Sequence, residues 1–216
     1  MVILPLTYFG SVDWFSMLAQ GGCMIDIGEN WVKQTARNRA DILTAGGVAS
    51  LTVPVHGGSN GGGIDCSGVN DAGAATAKIR TKDIRIDNSK RWQHIHRVSI
   101  ASAYRGSPFF DHYEERFAPI FARRFDFLVD LNLEVLDILT SILGLDRPGI
   151  SENYIVPAQG DIDLRGKKAL RRSNITQSPE PQEYIQVFHD RMPFEPGLSV
   201  IDLVFCEGPA AREFLV

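Results

Sequence analysis

Apolar positions along this chain fall in short runs over the first 55 residues and then at a three-to-four spacing through the middle, so strands are expected to precede helices. Residues 2–4 form a brief apolar run that predicts a buried strand. Ser11 precedes Trp14, Phe15 and Leu18, which share helical spacing, so Ser11 is the expected N-cap of a first helix that Gly21 and Gly22 stop. Residues 24–27 predict a second strand, followed by a turn or short helix at 29–35. Two strand-like runs, 39–43 and 48–55, flank Gly46 and Gly47, a pair that tolerates the positive φ of a tight turn, and together predict a β-hairpin. Residues 84–86 predict one more strand.

The helical half begins with NSKRWQHIHRVSIASAYRGSPFF, residues 88–110. Asn88 or Ser89 is the expected cap, and Gly106 before Pro108 the expected end. On this helix Trp92, His96, Ile100 and Ala103 align on one stripe, while His94, Arg97, Ala101 and Arg105 share a neighbouring face. Ser107 is placed to cap a further helix through Phe121. Residues 125–143 are apolar almost all round and predict a central helix ended by Gly144; its acids Asp130, Glu134 and Asp137 read as a polar outer face. Near the C-terminus, Ser199 and Asp202 form a capping box before a short apolar helix, 200–205, that Gly208-Pro209 stops.

Two stretches carry no periodicity. GGSNGGGIDCSGVNDAG, residues 57–73, has few apolar anchors to offset its ordering entropy and reads as a flexible glycine-rich loop or insertion; residues 144–181 read as irregular. The whole predicts an α+β protein of one domain spanning residues 1–216, with a small mixed or antiparallel sheet from the N-terminal strands and hairpin packed on a helical bundle.

Composition narrows this only slightly: 216 residues at 44% hydrophobic content suffice to bury a full core. No apolar run approaches the roughly 20 residues of a membrane helix, and MVILPLTYFG lacks the features of a secretion signal, so a soluble, cytoplasmic protein is expected. The cysteines Cys23, Cys66 and Cys206 are too scattered for a disulfide framework or a zinc site. Charge distribution is more informative than the net charge of −4. Residues 78–105 hold eight Lys or Arg against two Asp; KQTARNR (33–39) and RGKKALRR (165–172) contain no acid. Three basic blocks in an acidic protein suggest a pocket for an anion, provided that they meet in space.

Catalytic motifs are sparse. GGSNG matches a nucleophile elbow formally but is followed by glycine instead of a helix, and there is no GKS or GKT phosphate loop. His94 and His96, two residues apart, point to different sides of a helix and cannot chelate one metal, and DID at 161–163 is too short to indicate a cation site. No metal is expected, and no cofactor is identified. Two readings of His96 stand side by side: a hydrogen-bonded core histidine beside Trp92, and a general base or ligand-binding imidazole.

Several segments together resemble the WbqC-like proteins: LPLTYFGSVDWF at the start, GENWVKQTARNR with the hairpin and VPV, WQHIHRVSIASAYRGSPFFDHYEE, FLVDLNLEVL, DLR at 163–165, YIQVF, and LSVIDLVFCEGP. Matching polar positions are Lys33, Gln34, Arg37, Asn38, Arg39, Trp92, His96, Tyr104, Asp130, Asn132, Arg165 and Gln186. The chain departs from the pattern in its long glycine-rich stretch, in Arg97 where an aromatic follows the histidine, and in Cys206 where Asn precedes Glu-Gly-Pro.

The resemblance implies a bacterial setting in O-antigen and surface-polysaccharide synthesis, and transfer of a small acyl or aminoacyl group, such as glycine, to a sugar. Under it, His96 is the catalytic base, while Lys33, Gln34, Arg37, Asn38, Arg39, Trp92, Arg97, Tyr104 and Arg165 bind a sugar nucleotide or another phosphorylated donor. A non-catalytic accessory protein that binds a sugar nucleotide or carbohydrate is the alternative. Net acidity and the lack of a recognition module argue against nucleic acid as a partner.

Overall fold

The computed structural model describes residues 1–56, 79–166 and 182–215. The glycine-rich stretch at 57–73, Cys66 and most of the third basic block lie outside the described residues.

The architecture is α+β, with two separate sheets. Strands β1 (Val2–Pro5) and β2 (Cys23–Asp26) run parallel, Val2 opposite Cys23, joined by helix α1 (Val12–Ala19). Ile3 to Pro5 of β1 and Ile25 and Asp26 of β2 are buried, whereas Cys23 and Met24 are half-buried. Ser11 caps α1 as expected, its hydroxyl accepting from the Trp14 N–H at 3.2 Å, and Gly21 and Gly22 both take positive φ where the chain turns back. The antiparallel hairpin β3 (Arg39–Thr44) and β4 (Gly47–Thr52) forms the second sheet. Its positive φ falls on Gly47, not on both glycines.

The remaining strands correct the expectation of an irregular segment from 144 to 181. Gly149–Ser151 (β5) pairs with β2 and Ile162–Asp163 (β6) with β1, giving a four-stranded parallel sheet of order β5-β2-β1-β6. Strands of three and two residues are too short to show any period, and pairing with the buried β1 and β2 specifies them. In contrast, residues 84–86 do not form a ladder strand; they follow a 3-10 turn (Thr81–Asp83) and make single bridges, Arg85 to Phe127 and Ile86 to Val55.

Helices α2 (Trp92–Tyr104), α3 (Phe110–Ala122), α4 (Leu128–Leu143) and α5 (Val200–Glu207) complete the fold, with a 3-10 stretch, Gly208–Leu215, against α1 and α4. The anticipated caps at Asn88, Ser89 and Ser107 are not used: α2 starts at Trp92 after Arg91 with no side-chain cap. Asn88 donates instead to the Phe125 carbonyl at 2.8 Å, and the Ser107 hydroxyl donates to Tyr104, closing α2 rather than opening α3. Gly144 ends α4 in the left-handed region at φ 62°. Ser199 does cap α5, but Asp202 is turned into the interior and accepts from the Tyr184 hydroxyl at 2.6 Å. The helices converge on Phe205, whose ring lies 5.2 Å from those of Tyr104 and Phe110 and 5.8 Å from that of Phe117. No helix among the described residues is long and apolar enough to cross a membrane.

Candidate functional site

The site is built where the chain leaves β1. Leu6 to Gly10 makes a tight turn in which Phe9 takes a left-handed φ of 44°, and a Cβ on Gly10 would lie 2.6 Å from Thr7 Oγ1. Such backbone strain persists only where surrounding packing enforces it. Here it buries Tyr8 and brings its hydroxyl to Nδ1 of His96 at 2.9 Å. The stripe expected on α2 is the buried one: Trp92, His96, Ile100 and Ala103 all face inward. The His96 ring packs against Trp92 and Tyr8 at centroid distances of 5.3 and 5.7 Å.

His96 is 3% exposed, and burial lowers its pKa to about 4, with the Thr52 carbonyl acting in the opposite sense. The imidazole is therefore neutral at neutral pH. With its proton on Nε2, the tautomer that the Thr52 carbonyl favours, Nδ1 accepts from Tyr8. The indole N–H of Trp92 is buried and has no partner among the described residues. An unpaired buried donor costs about 1–3 kcal/mol, a cost that an acceptor atom of a ligand would remove.

These groups lie along a groove of about 870 Å³ between the hairpin and α2, lined by Leu51, Thr52, Lys90, Trp92, Ile95 and His96 among others. A second cleft of about 470 Å³ shares Thr52, Pro54 and Lys90 with the first and extends along Trp31, Lys33, Gln34, Asn38 and Arg39. Two of the three basic blocks thus meet, at Lys33, Arg39 and Lys90. Gln34 takes a left-handed φ of 57°, a second non-glycine residue held there against its preference. Asn38 donates to the Val53 carbonyl at 2.9 Å and tethers the loop to the hairpin, while its Oδ1 is buried without a partner among the described residues. Arg39 stands on the rim, reaching Ser50 Oγ at 2.5 Å and Asp41 at 3.4 Å.

Four of the expected ligand-binding residues lie elsewhere. Arg37 is buried and forked onto Glu29, with Nε to Oε1 at 2.8 Å and Nη2 to Oε2 at 2.6 Å; it also donates to the Arg165 carbonyl. Arg165 is itself clamped by Asp163 at 2.6 Å and by Asp26, and stacks under Tyr154. Asp163 and Asp26 hold its guanidinium charged. Tyr104 is buried, and its hydroxyl accepts from the Leu43 N–H at 3.2 Å. Arg97 is 64% exposed on the opposite side of α2, with Glu114 4.0 Å away. Other positions quoted for the resemblance also serve packing: Gln186 braces Glu195 through both backbone groups, and Asn132 donates to the Arg37 carbonyl at 2.7 Å. Asp130 is exposed, and Glu134 and Asp137 pair outward with Arg123 and Arg147, as a polar face should.

Sequence reasoning missed Tyr8, Thr52 and Lys90 at the site, Asp26 and Glu29 in the buried network, and the exposed Tyr154 that covers Arg165. A usable signal existed for two of them: acids inside or just after an apolar strand run, MIDIGE, need buried partners. Asp161 and Asp163, the DID pair, are engaged separately, Asp161 accepting from the Ala158 N–H and Asp163 from Arg165. Burial holds the Cys206 thiol well above its ordinary pKa, and its neighbours Asp202 and Glu207 act in the same direction.

No curated protein and no solved structure matches this chain. The family model for the WbqC-like protein family matches residues 7–187, a span that takes in the Tyr8 turn, the loop carrying Lys33 and Asn38, the hairpin and α2. By that match over most of its length, the chain belongs to the WbqC-like protein family.

Proposed function

We propose that this protein transfers a small acyl or aminoacyl group to a sugar in surface-polysaccharide synthesis, using the cleft between the hairpin and α2. The observation that carries the reading is the joining of a cation-lined cleft, with Lys33, Arg39 and Lys90, to a groove floored by Trp92 and His96. The cations suit the phosphates of a sugar nucleotide or phosphorylated donor, and Trp92 and Trp31, both largely buried, present only their edges to the two clefts. His96, unprotonated at neutral pH, is in the state a proton acceptor needs. In the transfer, the acceptor hydroxyl or amine attacks the carbonyl carbon of the activated donor. A C–O or C–N bond forms and the bond to the leaving group breaks. His96 takes the acceptor's proton at Nδ1, in place of the Tyr8 hydroxyl bonded there, and returns it to the leaving group.

A second reading, sugar-nucleotide or carbohydrate binding without turnover, has its own observation: both ring nitrogens of His96 face protein groups, Tyr8 and the Thr52 carbonyl. The two readings separate in one experiment. The purified protein is screened by thermal shift against sugar nucleotides and acyl donors, and stabilising pairs are incubated and analysed by mass spectrometry for an acylated sugar. Transfer requires a product, and His96→Gln, which keeps a polar side chain in the buried site, should lower its rate by about 10²–10⁴-fold with the fold intact. Ligand stabilisation with no product, or full activity in the variant, would contradict the base assignment.

A further inference from the structure

The larger groove has a wall that a soluble phosphosugar does not explain. Ile95 and Val98, one turn apart on α2, are 57% and 52% exposed, and both line it. An isolated exposed aliphatic side chain needs no explanation, but here two lie within one concave groove whose lining also takes in Pro54 and the edges of the buried Leu51 and Trp92. Small residues on both walls, Gly46 and Ala49 on the hairpin, Ser102 and Ala103 on the helix, leave its width open. At Lys90 the groove passes into the cleft carrying Lys33 and Arg39. Apolar walls leading to a cationic end are complementary to one kind of molecule, a hydrocarbon chain ending in a phosphate. A second copy of the chain would cover the apolar wall but does not account for its continuity with the cationic cleft.

We infer that the ligand of this site is amphiphilic: a phosphate or diphosphate ester whose head sits by Lys90, Lys33 and Arg39 and whose hydrocarbon chain runs along Ile95 and Val98. The inference rests on the reading of the cleft as the substrate site and names the class of one substrate, a sugar or acyl carrier joined through phosphate to an apolar tail. The buried indole N–H of Trp92, unpartnered among the described residues, belongs to the lining of the larger groove.

Calorimetric titration of the full chain with inorganic phosphate and with butyl, hexyl and octyl phosphate, all below their aggregation concentrations, tests it. A fully buried methylene tightens binding about 4-fold, and partial burial in an open groove should give about 10-fold from butyl to octyl. Ile95→Asp and Val98→Asp, exposed positions whose replacement does not disturb the core, should flatten that series to within about 2-fold, the repulsion from the added charge being common to the series and read from inorganic phosphate. Lys90→Ala should weaken every phosphate by a similar factor. Equal affinity across the series overturns the inference and leaves the phosphosugar site standing. A chain-length dependence that survives both aspartate variants places the chain elsewhere and also overturns it. Failure of every phosphate to bind removes both the inference and the reading beneath it. Concentration-dependent dimerisation in sedimentation, abolished by Ile95→Asp, assigns the wall to a second copy and overturns the amphiphile.

Discussion

Two regions of this molecule use the same residue types for opposite ends. At the carboxyl edge of the parallel sheet, Arg37 and Arg165 are buried against Glu29, Asp26 and Asp163, with the donors of each guanidinium directed at carboxylates, carbonyls and a hydroxyl. Between the hairpin and α2, Lys33, Arg39 and Lys90 border open clefts with room for a ligand. The first arrangement joins β2, β6 and the 28–39 loop, and the second sets cations along the wall of a cleft. Being basic and belonging to a matching segment does not separate the two roles; burial does, Arg37 and Arg165 being enclosed while Arg39 and Lys90 are exposed.

The contrast breaks most visibly at Arg37. Replacing it with Met leaves Glu29 buried without its partner, and such losses cost roughly 3–5 kcal/mol, so urea unfolding should show a large drop in midpoint. Burial already raises the Glu29 pKa. Protonation then relieves the stranded carboxylate, and the deficit should be smaller at pH 5 than at pH 8. An Arg37→Met protein as stable as the parent would mean that the network is not structural.

The next effect belongs to His96. In the unfolded chain it gains a proton below pH 6.5, in the folded protein only near pH 4, so the unfolded state binds more protons between those values. Stability is therefore unaffected by this group above pH 6.5 and falls as the pH drops from 6.5 to about 4, by about 3 kcal/mol in all. Thermal melts across that range should show the slope, and His96→Gln should reduce it. If His96 is the base, the acid limb of kcat/KM should lie near pH 4 rather than 6.5.

The smallest stability effect is expected at Lys90. Lys90→Ala removes an exposed side chain and should change the unfolding free energy by no more than about 0.5 kcal/mol. Its affinity for a phosphorylated ligand should nevertheless fall about 10-fold. Large destabilisation with unchanged affinity would reverse the roles of the two regions.

Much of this arrangement was legible in the sequence, for identifiable reasons. The α2 stripe of Trp92, His96, Ile100 and Ala103 follows from helical spacing alone, and the hairpin and the Ser11 and Ser199 caps from local chemistry. Strands β5 and β6 were not legible, because two or three residues carry no pattern and their pairing is imposed by distant strands. The Asn88 and Ser107 caps were misplaced because each side chain found a carbonyl elsewhere, at Phe125 and at Tyr104. Among the site residues, Lys33, Gln34, Asn38, Arg39, Trp92 and His96 line the two connected clefts, whereas Arg37, Arg165 and Tyr104 are enclosed and Arg97 faces away. Which basic residue meets an acid is a long-range property that spacing does not carry.

The tryptophan indole signals offer the most direct measurement. Trp14 donates to the Pro5 carbonyl at 3.1 Å in the core, Trp92 has no partner among the described residues, and Trp31 lines the cationic cleft. In ¹⁵N-labelled protein, with each signal assigned by a Trp→Phe variant, a phosphorylated sugar should shift the Trp92 and Trp31 indole resonances and leave that of Trp14 in place. A saturable ligand that moves neither Trp92 nor Trp31 would contradict the assignment of this cleft as the functional site.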